Sequence, residues 1–519
     1  MNISLFILLC LVQFSVQKST PADDSYIAAV VEYQVQSDEA AILQNYLRLI
    51  EDAGKQNADI IVFPEMTLTR GKSVVVPIYG LLKEHPIPAS NPELFDEILV
   101  SISASAIKSQ IYVVINVQEL MDCRNAGSPG ETCPEQKQYR FNTNVVFNRN
   151  GAVIDRYRKI NLFGELSKTP ALVPDLGMFT TDFGVTFGHF ICFDLMFQVP
   201  AIQVVQKYNI TDVIFPTMWF SEMPYLTAVE IQQAYAHTMN VNFLTAGANN
   251  VKVGSTGSGI FSGKAGALVS LMTGVPITKL LFAKVPKVPG QVTGTYPGPI
   301  YDDPVDQDNL FLKTDPSLLS HVSRLLKTGF EEFTLVDKDV YCQFRVRLSE
   351  RNGEMAPFYR AFAHDSFNVY ARRQMGTAGC SIVSCKNEDL NSCYYRFNHS
   401  EVYTEIEELE IKMTSRRVHY NTSLKCDDIE YYPMSFTNNK FPLNPQNYTF
   451  ENENRNFDEL VNNEIMKRNG QQCMMFKLNT PQTDLLSFGI FGRIYSKDGT
   501  KLITESTEHA DIDNLLGIN

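Results

Sequence analysis

Three side chains with complementary chemistry stand near the ends of predicted strands. Glu65 follows the apolar run of residues 60–63 in DIIVFPEMTLTR, and Lys159 follows a predicted hairpin in AVIDRYRKINLFGE. Cys192 lies at a predicted strand-to-helix junction in GVTFGHFICFDLMFQVPA. Loops beyond strand ends are where α/β folds place their active sites. The pattern predicts a thiol nucleophile accompanied by a carboxylate that moves protons and an ammonium group that stabilises an oxyanion.

Each of these residues also has a plainer interpretation. Glu65 against an apolar wall would suit a general acid or base, and its plainer interpretation is a solvated carboxylate at the end of a strand. Lysines are mostly surface residues, and free thiols are usually buried and inert. We expect the backbone N–H of Phe193 to face an oxyanion and Glu165 to order Lys159 or assist proton transfer.

The cysteine count favours a reactive thiol. The chain has ten cysteines, and Cys10 lies in the N-terminal apolar segment, so an odd number remains after its removal. If eight of them form disulfides, one thiol stays free, although the count does not say which. His189 precedes Cys192 by three residues, and strand alternation places the two on opposite faces. A Cys–His protease dyad therefore finds no support here.

Strands and helices alternate around these residues, which predicts an α/β domain. Strands are predicted at 26–33, 60–63, 111–117, 145–147, 153–157, 185–193, 213–215 and 241–246. Helices are predicted near 38–53, 95–108, 199–207 and 226–239, the first of them capped by Ser37 or Asp38. Asn150-Gly151 is a strong hairpin turn between two of the strands. By strand alternation, Arg156 and Arg158 point away from Lys159.

The character of the chain changes after a Pro- and Gly-rich stretch at residues 284–308, which we interpret as a loop or linker. Beyond about residue 330, short alternating runs such as YCQFRVRL and FGIFGRIYS are typical of β-strands. Six cysteines fall in this part. The second half therefore predicts a mostly β accessory domain supported by disulfides.

Composition limits the partners. The 519 residues carry 45 Lys and Arg against 58 Asp and Glu, a net charge of −13 that repels phosphate backbones and argues against nucleic acid. A hydrophobic content of 44% is enough for ordinary cores, and the length favours two domains. The scattered histidines show no metal-ligand pattern, so we expect neither a metal nor an organic cofactor.

The N-terminus and the acceptor sites predict a secreted glycoprotein. Residues 1–17, MNISLFILLCLVQFSVQ, have the apolar core of a signal peptide and are too short to span a bilayer. The polar C-terminus predicts no lipid anchor. Four Asn-x-Ser/Thr sequons are candidate glycan acceptors. They are Asn209, Asn398, Asn421 and Asn447.

Glu65, Lys159 and Cys192, in that order and within these motifs, resemble the nitrilase superfamily. NTNVVF, YRKINLFGE, ICFDLMFQVPA, VIFPTMWFSEMPYLTAVEIQQAYA, VNFLTAGANN and TGSGIF resemble its vanin/biotinidase branch, as do CSIVSC at 380–385 and FGIFGRIYSKDG. The resemblance implies an αββα sandwich over residues 24–310, followed by a β-rich base domain over 325–519. It also implies Cys192 as nucleophile, Glu65 as proton acceptor and Lys159 as proton donor and oxyanion partner.

The resemblance implies a small-molecule amide substrate and leaves its identity open. Pantetheine hydrolysis is the leading hypothesis, biotin-amide hydrolysis the second, and a catalytically inactive secreted binding protein the third. Trp219, the only tryptophan, is either a lining residue of the substrate pocket or a packing aromatic. Oligomeric state and disulfide connectivity stay open.

Overall fold

The computed structural model describes residues 18–69, 71–123, 135–292, 300–301, 309–351, 356–393, 396–397, 402–416, 428–453 and 471–499. Two regions follow one another along the chain. In the first, the strands are β1 Ser25–Gln34, β2 Ile60–Val62, β3 Tyr112–Asp122, β4 Gln138–Phe147, β5 Val153–Arg158, β6 Gly177–Thr180, β7 Thr186–His189, β8 Asp212–Thr217, β9 Glu222–Met223, β10 Asn242–Asn249, β11 Ser258–Ser262, β12 Ala267–Leu271, β13 Lys279–Pro286 and β14 Ile300–Tyr301. Its helices are α1 Glu39–Lys55, α2 Leu81–Glu84, α3 Glu97–Ser109, α4 Gln203–Gln206 and α5 Ala228–Met239.

The first region is a four-layer αββα sandwich, which confirms the expected fold class. One sheet has the order β13-β1-β2-β3-β4-β5, and the other has the order β6-β7-β8-β10-β11-β12-β14. They face each other across an apolar core that includes Val30, Val62 and Leu244. Helices α1 and α3 cover the outer face of the first sheet, and α5 covers the second. Paired layers of this kind bury both faces of each sheet.

Helix α1 shows how local sequence specifies an element. The Asp38 side chain accepts hydrogen bonds from the N–H groups of Ala40 and Ala41, as expected for an N-cap. Ile42, Tyr46 and other residues at helical spacing are buried against the sheet.

The second region is a sandwich of two antiparallel sheets. Its strands, with the short linking strand that precedes them, are β15 Lys313–Thr314, β16 Val322–Leu325, β17 Gly329–Asp337, β18 Val340–Glu350, β19 Phe358–Tyr370, β20 Arg373–Cys385, β21 Thr404–Arg416, β22 Ile429–Thr437, β23 Tyr448–Asn452, β24 Gln471–Leu478 and β25 Leu485–Ile494. The sheets have the orders β16-β19-β20-β25-β22 and β17-β18-β21-β24-β23. Cys342–Cys380 joins one sheet to the other, and Cys385–Cys393 closes the loop after β20. The β-rich, disulfide-containing character of this region is thereby confirmed.

The segment predicted as a linker is partly a strand. Residues 284–286 belong to β13, which pairs antiparallel with β1, whereas 293–299 and 302–308 lie outside the described residues. The apolar alternation in LLFAKVP is short and adjoins prolines, so the sequence does not indicate this strand clearly. Pairing with β1 stabilises it.

Helix α5 lies between the two regions and is buried on nearly every side. The second sheet of the first region covers one face, and β22 covers another. Gln233 donates to the Leu443 carbonyl at 2.7 Å, and Thr238 donates to the Tyr431 carbonyl at 3.1 Å. The two regions therefore share one continuous core rather than a solvated seam.

His237 on α5 predicts an acid-sensitive interface. It is 7% exposed and packs against the rings of Tyr448 and Phe450. Burial, with a smaller contribution from Lys264, lowers the pKa of His237 to about 4. The unfolded chain therefore binds this proton more readily, so stability is complete above a pH near 6.5 and falls as the pH drops toward 4.

We expect His237→Phe to reduce the loss of unfolding free energy between pH 7 and pH 4.5 by roughly 2 kcal/mol. Urea unfolding at both values measures this, with His85→Gln, remote from the interface, as the control. An equal acid-induced loss in wild type and in the His237 variant would contradict the assignment.

Candidate active site

Cys192 occupies a strained turn at the end of β7. The strand stops at His189, three residues earlier than the sequence predicts for the end of the strand at Cys192, and a 3-10 helix spans Cys192–Met196. The backbone of Cys192 is left-handed, with a φ of 48°. Such a conformation costs a non-glycine residue about 1–3 kcal/mol and persists only where neighbouring structure fixes it.

Asp194 is the residue that fixes this turn, and sequence reasoning missed it. Its carboxylate accepts from the N–H groups of Ile191 at 3.2 Å and Asn161 at 2.8 Å, and from the Tyr157 hydroxyl at 2.6 Å. It is fully buried, and burial raises the pKa of Asp194 to about 6 despite these donors. The turn that carries Cys192 is thus tied to the end of β5.

Lys159 follows β5 and points into the same pocket. Its ammonium group donates to Glu65 and to Glu165, each at 2.7 Å, and its side chain is 1% exposed. Burial by itself lowers the pKa of Lys159, but the carboxylates of Glu165 and Glu65 raise it well above the usual value. An ammonium group has three donors, so one proton is not engaged by these two carboxylates.

Glu165 is the second partner of the lysine. Burial opposes its charge, but Lys159 holds the pKa of Glu165 below its usual range. The Phe163 N–H also donates to its other oxygen. Glu165 therefore holds Lys159 together with Glu65, and the Asn142 amide also donates to it at 3.3 Å.

Glu65 faces donors rather than the apolar wall expected from its sequence. One oxygen accepts from Lys159 and, at 2.8 Å, from the Asn142 amide, and the other accepts from the Met218 N–H at 2.8 Å. The residue is 3% exposed. The donors come from sequence positions 77 to 153 residues away, so the apolar run before Glu65 gave no indication of them.

Three asparagines on neighbouring strands form a second layer beneath the carboxylates. The Asn116 amide donates to Asn142 at 2.8 Å and to Asn144 at 3.0 Å, and its carbonyl oxygen accepts from the Met66 N–H. Met66, next to Glu65, is also left-handed, with a φ of 52°. Alternation in NTNVVF places Asn142 and Asn144 on one face of β4, which was the available signal for this layer.

The surroundings of the Cys192 thiol favour its neutral form. Burial raises its pKa, and Glu65 raises it further, while Lys159 acts in the opposite direction. The sulfur lies 3.6 Å from the Met218 carbonyl. A thiol is a weak nucleophile until it loses its proton, so this site requires a nearby proton acceptor.

A single pocket brings the predicted residues together. Its lining residues come from the ends of both sheets and from the loops after them. They are Glu65, Met66, Lys159, Phe163, Glu165, Cys192, Met218 and Phe220. Phe193 is not among these lining residues, so the role of its backbone N–H stays a prediction.

Trp219 lies outside this set and has the packing role. Its indole N–H donates to the Leu226 carbonyl at 2.8 Å, and the residue is 7% exposed in the core. It fixes the loop that carries Met218 and Phe220. The alternative that Trp219 lines the pocket has no support in the geometry.

The charged and titratable residues next to Lys159 and Cys192 in the sequence point away from the pocket, as strand alternation predicts. Arg156 and Arg158 both pair with Glu119, at 3.1 and 2.6 Å. The His189 ring contacts Asp155 at 2.8 Å rather than the thiol.

Some of the predicted glycan acceptors and cysteines lie among the described residues, and others do not. Asn209 is exposed after α4, and Asn447 is half-buried before β23, whereas Asn398 and Asn421 lie outside the described residues. Free thiols among the described cysteines are Cys192 and Cys473, so freedom from a disulfide does not by itself single out Cys192. Cys426 is not among the described residues.

Comparison with known proteins agrees with both regions. Residues 27–259 match the carbon-nitrogen hydrolase family, and residues 310–498 match the vanin C-terminal domain. Vanin-like protein 3 of Drosophila melanogaster is 32% identical over 91% of this chain and 89% of its own length. Pantetheinase of Sus scrofa is 28% identical over 92% of this chain and 90% of its own, and human biotinidase is 33% identical over 61% and 58%.

The chain belongs to the vanin/biotinidase branch of the nitrilase superfamily. It is an amidohydrolase that acts on linear C–N bonds. Its disulfides are compatible with an extracellular location. None of the helices that the structure describes is long and apolar enough to cross a bilayer.

The position of Lys159 predicts the reactivity of the thiol. Replacing it with Met removes the cation that lowers the Cys192 pKa, so we expect alkylation of Cys192 by iodoacetamide at neutral pH to slow by roughly tenfold or more. Peptide mass spectrometry measures the rate, and Cys473 in the same molecule is the internal control. Equal slowing at both cysteines would point to a global change, and no slowing at Cys192 would refute the electrostatic role.

Proposed function

We propose that the protein is a secreted pantetheine hydrolase that converts pantetheine to pantothenate and cysteamine through a thioester on Cys192. The observation that carries this proposal is the buried contact of Lys159 with two carboxylates, in one pocket with a free thiol. The relative named pantetheinase supports the substrate because its similarity extends over nearly the whole of both chains.

In the first half-reaction, Glu65 takes the proton of Cys192 and the sulfur forms a bond to the amide carbonyl carbon. Among the described residues, one oxygen of Glu65 accepts only from the Met218 N–H, which leaves it a lone pair for that proton. The carbonyl oxygen becomes an oxyanion, for which the third proton of Lys159 and the Phe193 N–H are the proposed donors. Glu65 then gives the proton to the leaving amine as the C–N bond breaks.

In the second half-reaction, water hydrolyses the thioester. Glu65 removes a proton from the water as its oxygen bonds to the carbonyl carbon, and the same donors hold the second oxyanion. The carbon–sulfur bond breaks, and the proton held by Glu65 returns to the Cys192 thiolate. Each turnover thus consumes one amide and one water and restores the starting protonation states.

The catalytic role is assigned to residues 24–310, and residues 325–519 form the base domain. Secretion after removal of residues 1–17 fits the two disulfides in the base domain, because cytosolic thiols stay reduced. Asn209 is an exposed position suited to a glycan.

Biotin-amide hydrolysis is the second candidate, because human biotinidase is 33% identical over the part that matches. The chemistry at Cys192 is the same for both candidates. An assay of pantetheine beside a biotinyl amide therefore distinguishes pantetheine hydrolysis from biotin-amide hydrolysis. A binding protein without activity is disfavoured because all three reactive groups line one pocket.

We expect the wild-type protein to release cysteamine from pantetheine, and Cys192→Ala to abolish the release. Lys159→Met is expected to lower kcat/KM by on the order of 10²–10³, since a single oxyanion donor has that effect. Circular dichroism of each variant serves as the folding control. If the protein hydrolysed biotinyl amides but not pantetheine, the pantetheine assignment would be wrong, while amide hydrolysis through Cys192 would still stand.

The acyl-enzyme predicts a mass change. Deacylation needs Glu65 as base, whereas an activated thioester has a thiolate leaving group that needs no proton from Glu65. Glu65→Gln incubated with an activated pantothenate thioester, at a pH high enough to ionise part of Cys192, should therefore accumulate a pantothenoyl adduct on Cys192. Intact-protein mass spectrometry followed by hydroxylamine release detects it, and Cys192→Ala should show none. An adduct of equal yield in the alanine variant would place the nucleophile elsewhere.

A further inference from the structure

The hairpin between β19 and β20 reaches from the base domain to the catalytic region. Tyr370 pairs with Arg373 across a two-residue turn formed by Ala371 and Arg372, whose φ angles are 48° and 65°. Turns of this type prefer Asn and Gly, and non-glycine residues are strained in them by about 1–3 kcal/mol each. Ala371 is 4% exposed and belongs to the same core cluster as Cys192. Packing against the catalytic region therefore holds the hairpin tip in place.

The tip places Arg373 beside the aromatic residues that lead to the pocket. Its guanidinium carbon lies 5.5 Å from the centre of the Phe197 ring. Phe197 contacts Phe193 edge-to-face at 5.2 Å, and Phe193 contacts Phe163 of the pocket lining at 4.9 Å. The charges that act on Arg373 are those of Asp194 below the pocket, Asp498 of the base domain and Glu165 in the pocket. The guanidinium is thus separated from the pocket lining by two aromatic rings, and we take this position as the rim of the site.

Arg373 differs from its neighbour Arg493 in having no acceptor among the described residues. Arg493 is saturated by Asp498 and by the carbonyls of Gly376 and Met196. Arg373 is half-buried and makes no salt bridge or hydrogen bond within the described ranges. A guanidinium is planar, stays charged and matches carboxylate or phosphate groups with paired N–H donors. Its donors at this rim are available to a ligand.

The charges in the pocket restrict where an anion can bind. Glu65 and Glu165 outnumber Lys159 there, so an anionic group next to the scissile amide would be repelled. The chain as a whole carries a net charge of −13, so the distant field does not attract anions either. An anion on the substrate is therefore favoured only at a rim cation, several bonds from the reacting carbonyl.

We propose that Arg373 binds a carboxylate or phosphate carried on the distal part of the substrate, so that the enzyme prefers acidic amides over their neutral counterparts. Arg373 is a specificity residue in this scheme and takes no part in bond breaking. The inference rests on the proposed amidase function of Cys192 and narrows its substrate class.

Matched substrate pairs test the inference. Phosphopantetheine and pantetheine differ by a phosphate, and biotinyl-aminobutyrate and biotinyl-propylamide differ by a carboxylate. We expect the wild type to favour the anionic member of whichever pair it hydrolyses, and Arg373→Gln to lower that preference in kcat/KM by roughly tenfold, as for a charged hydrogen bond. Turnover of the neutral member should change by less than about twofold, and Arg373→Lys should restore part of the preference.

Two control variants remove the same charge elsewhere. Lys313 lies 5.9 Å from the Phe220 ring, on another side of the pocket, and Arg345 lies on the outer surface of β18. Lys313→Met and Arg345→Gln should leave the preference unchanged. The phosphate and carboxylate pairs separately report which anion is recognised.

The outcomes separate this inference from the proposed function. Loss of activity toward both members of a pair in Arg373→Gln would show a structural role and overturn the inference. Equal wild-type turnover of both members, or a preference that follows Lys313 instead, would do the same while leaving the amidase function intact. No hydrolysis of any of these amides would overturn the proposed function and this inference with it.

Discussion

The buried ammonium group of Lys159 and its two carboxylates are the constraint on which the site depends. These three side chains are 1–5% exposed, so their charged groups lose most of their hydration. Such buried charges are tolerated only when each has a partner of opposite charge and further hydrogen bonds. Asn142 and the Met218 N–H supply those bonds to Glu65. These donors come from β4 and from the end of β8, so the cluster fixes the spatial relation of the two sheets at this end of the sandwich.

The base domain contributes to this constraint from the other side. Arg493 on β25 donates to the Met196 carbonyl at the end of the 3-10 helix that begins with Cys192. The ion pair with Asp498 holds Arg493 in turn. Helix α5 is covered by both regions, so neither can shift without exposing apolar surface. The geometry at the sulfur therefore depends on residues nearly 300 positions away in the sequence.

The sequence predicts what depends on local pattern and fails where distant contacts decide. Helix α1, its Asp38 cap and the direction of Arg156 and Arg158 away from Lys159 follow from periodicity and capping, and the structure agrees. The end of β7 was misplaced because the contacts of Asp194, and not the apolar run, bend the chain before Cys192. The donors around Glu65 come from other strands, which no window of local sequence contains.

The two carboxylates on Lys159 have different consequences in the proposed reaction. When Glu65 accepts the thiol proton it becomes neutral, and its attraction for the ammonium group is lost. Glu165 keeps its charge and its contact at 2.7 Å, so Lys159 stays charged and in position at the moment the oxyanion forms. A site with Glu65 alone would weaken its hold on the lysine at the step where the lysine is needed. The second carboxylate thus makes the oxyanion donor independent of the protonation state of the base.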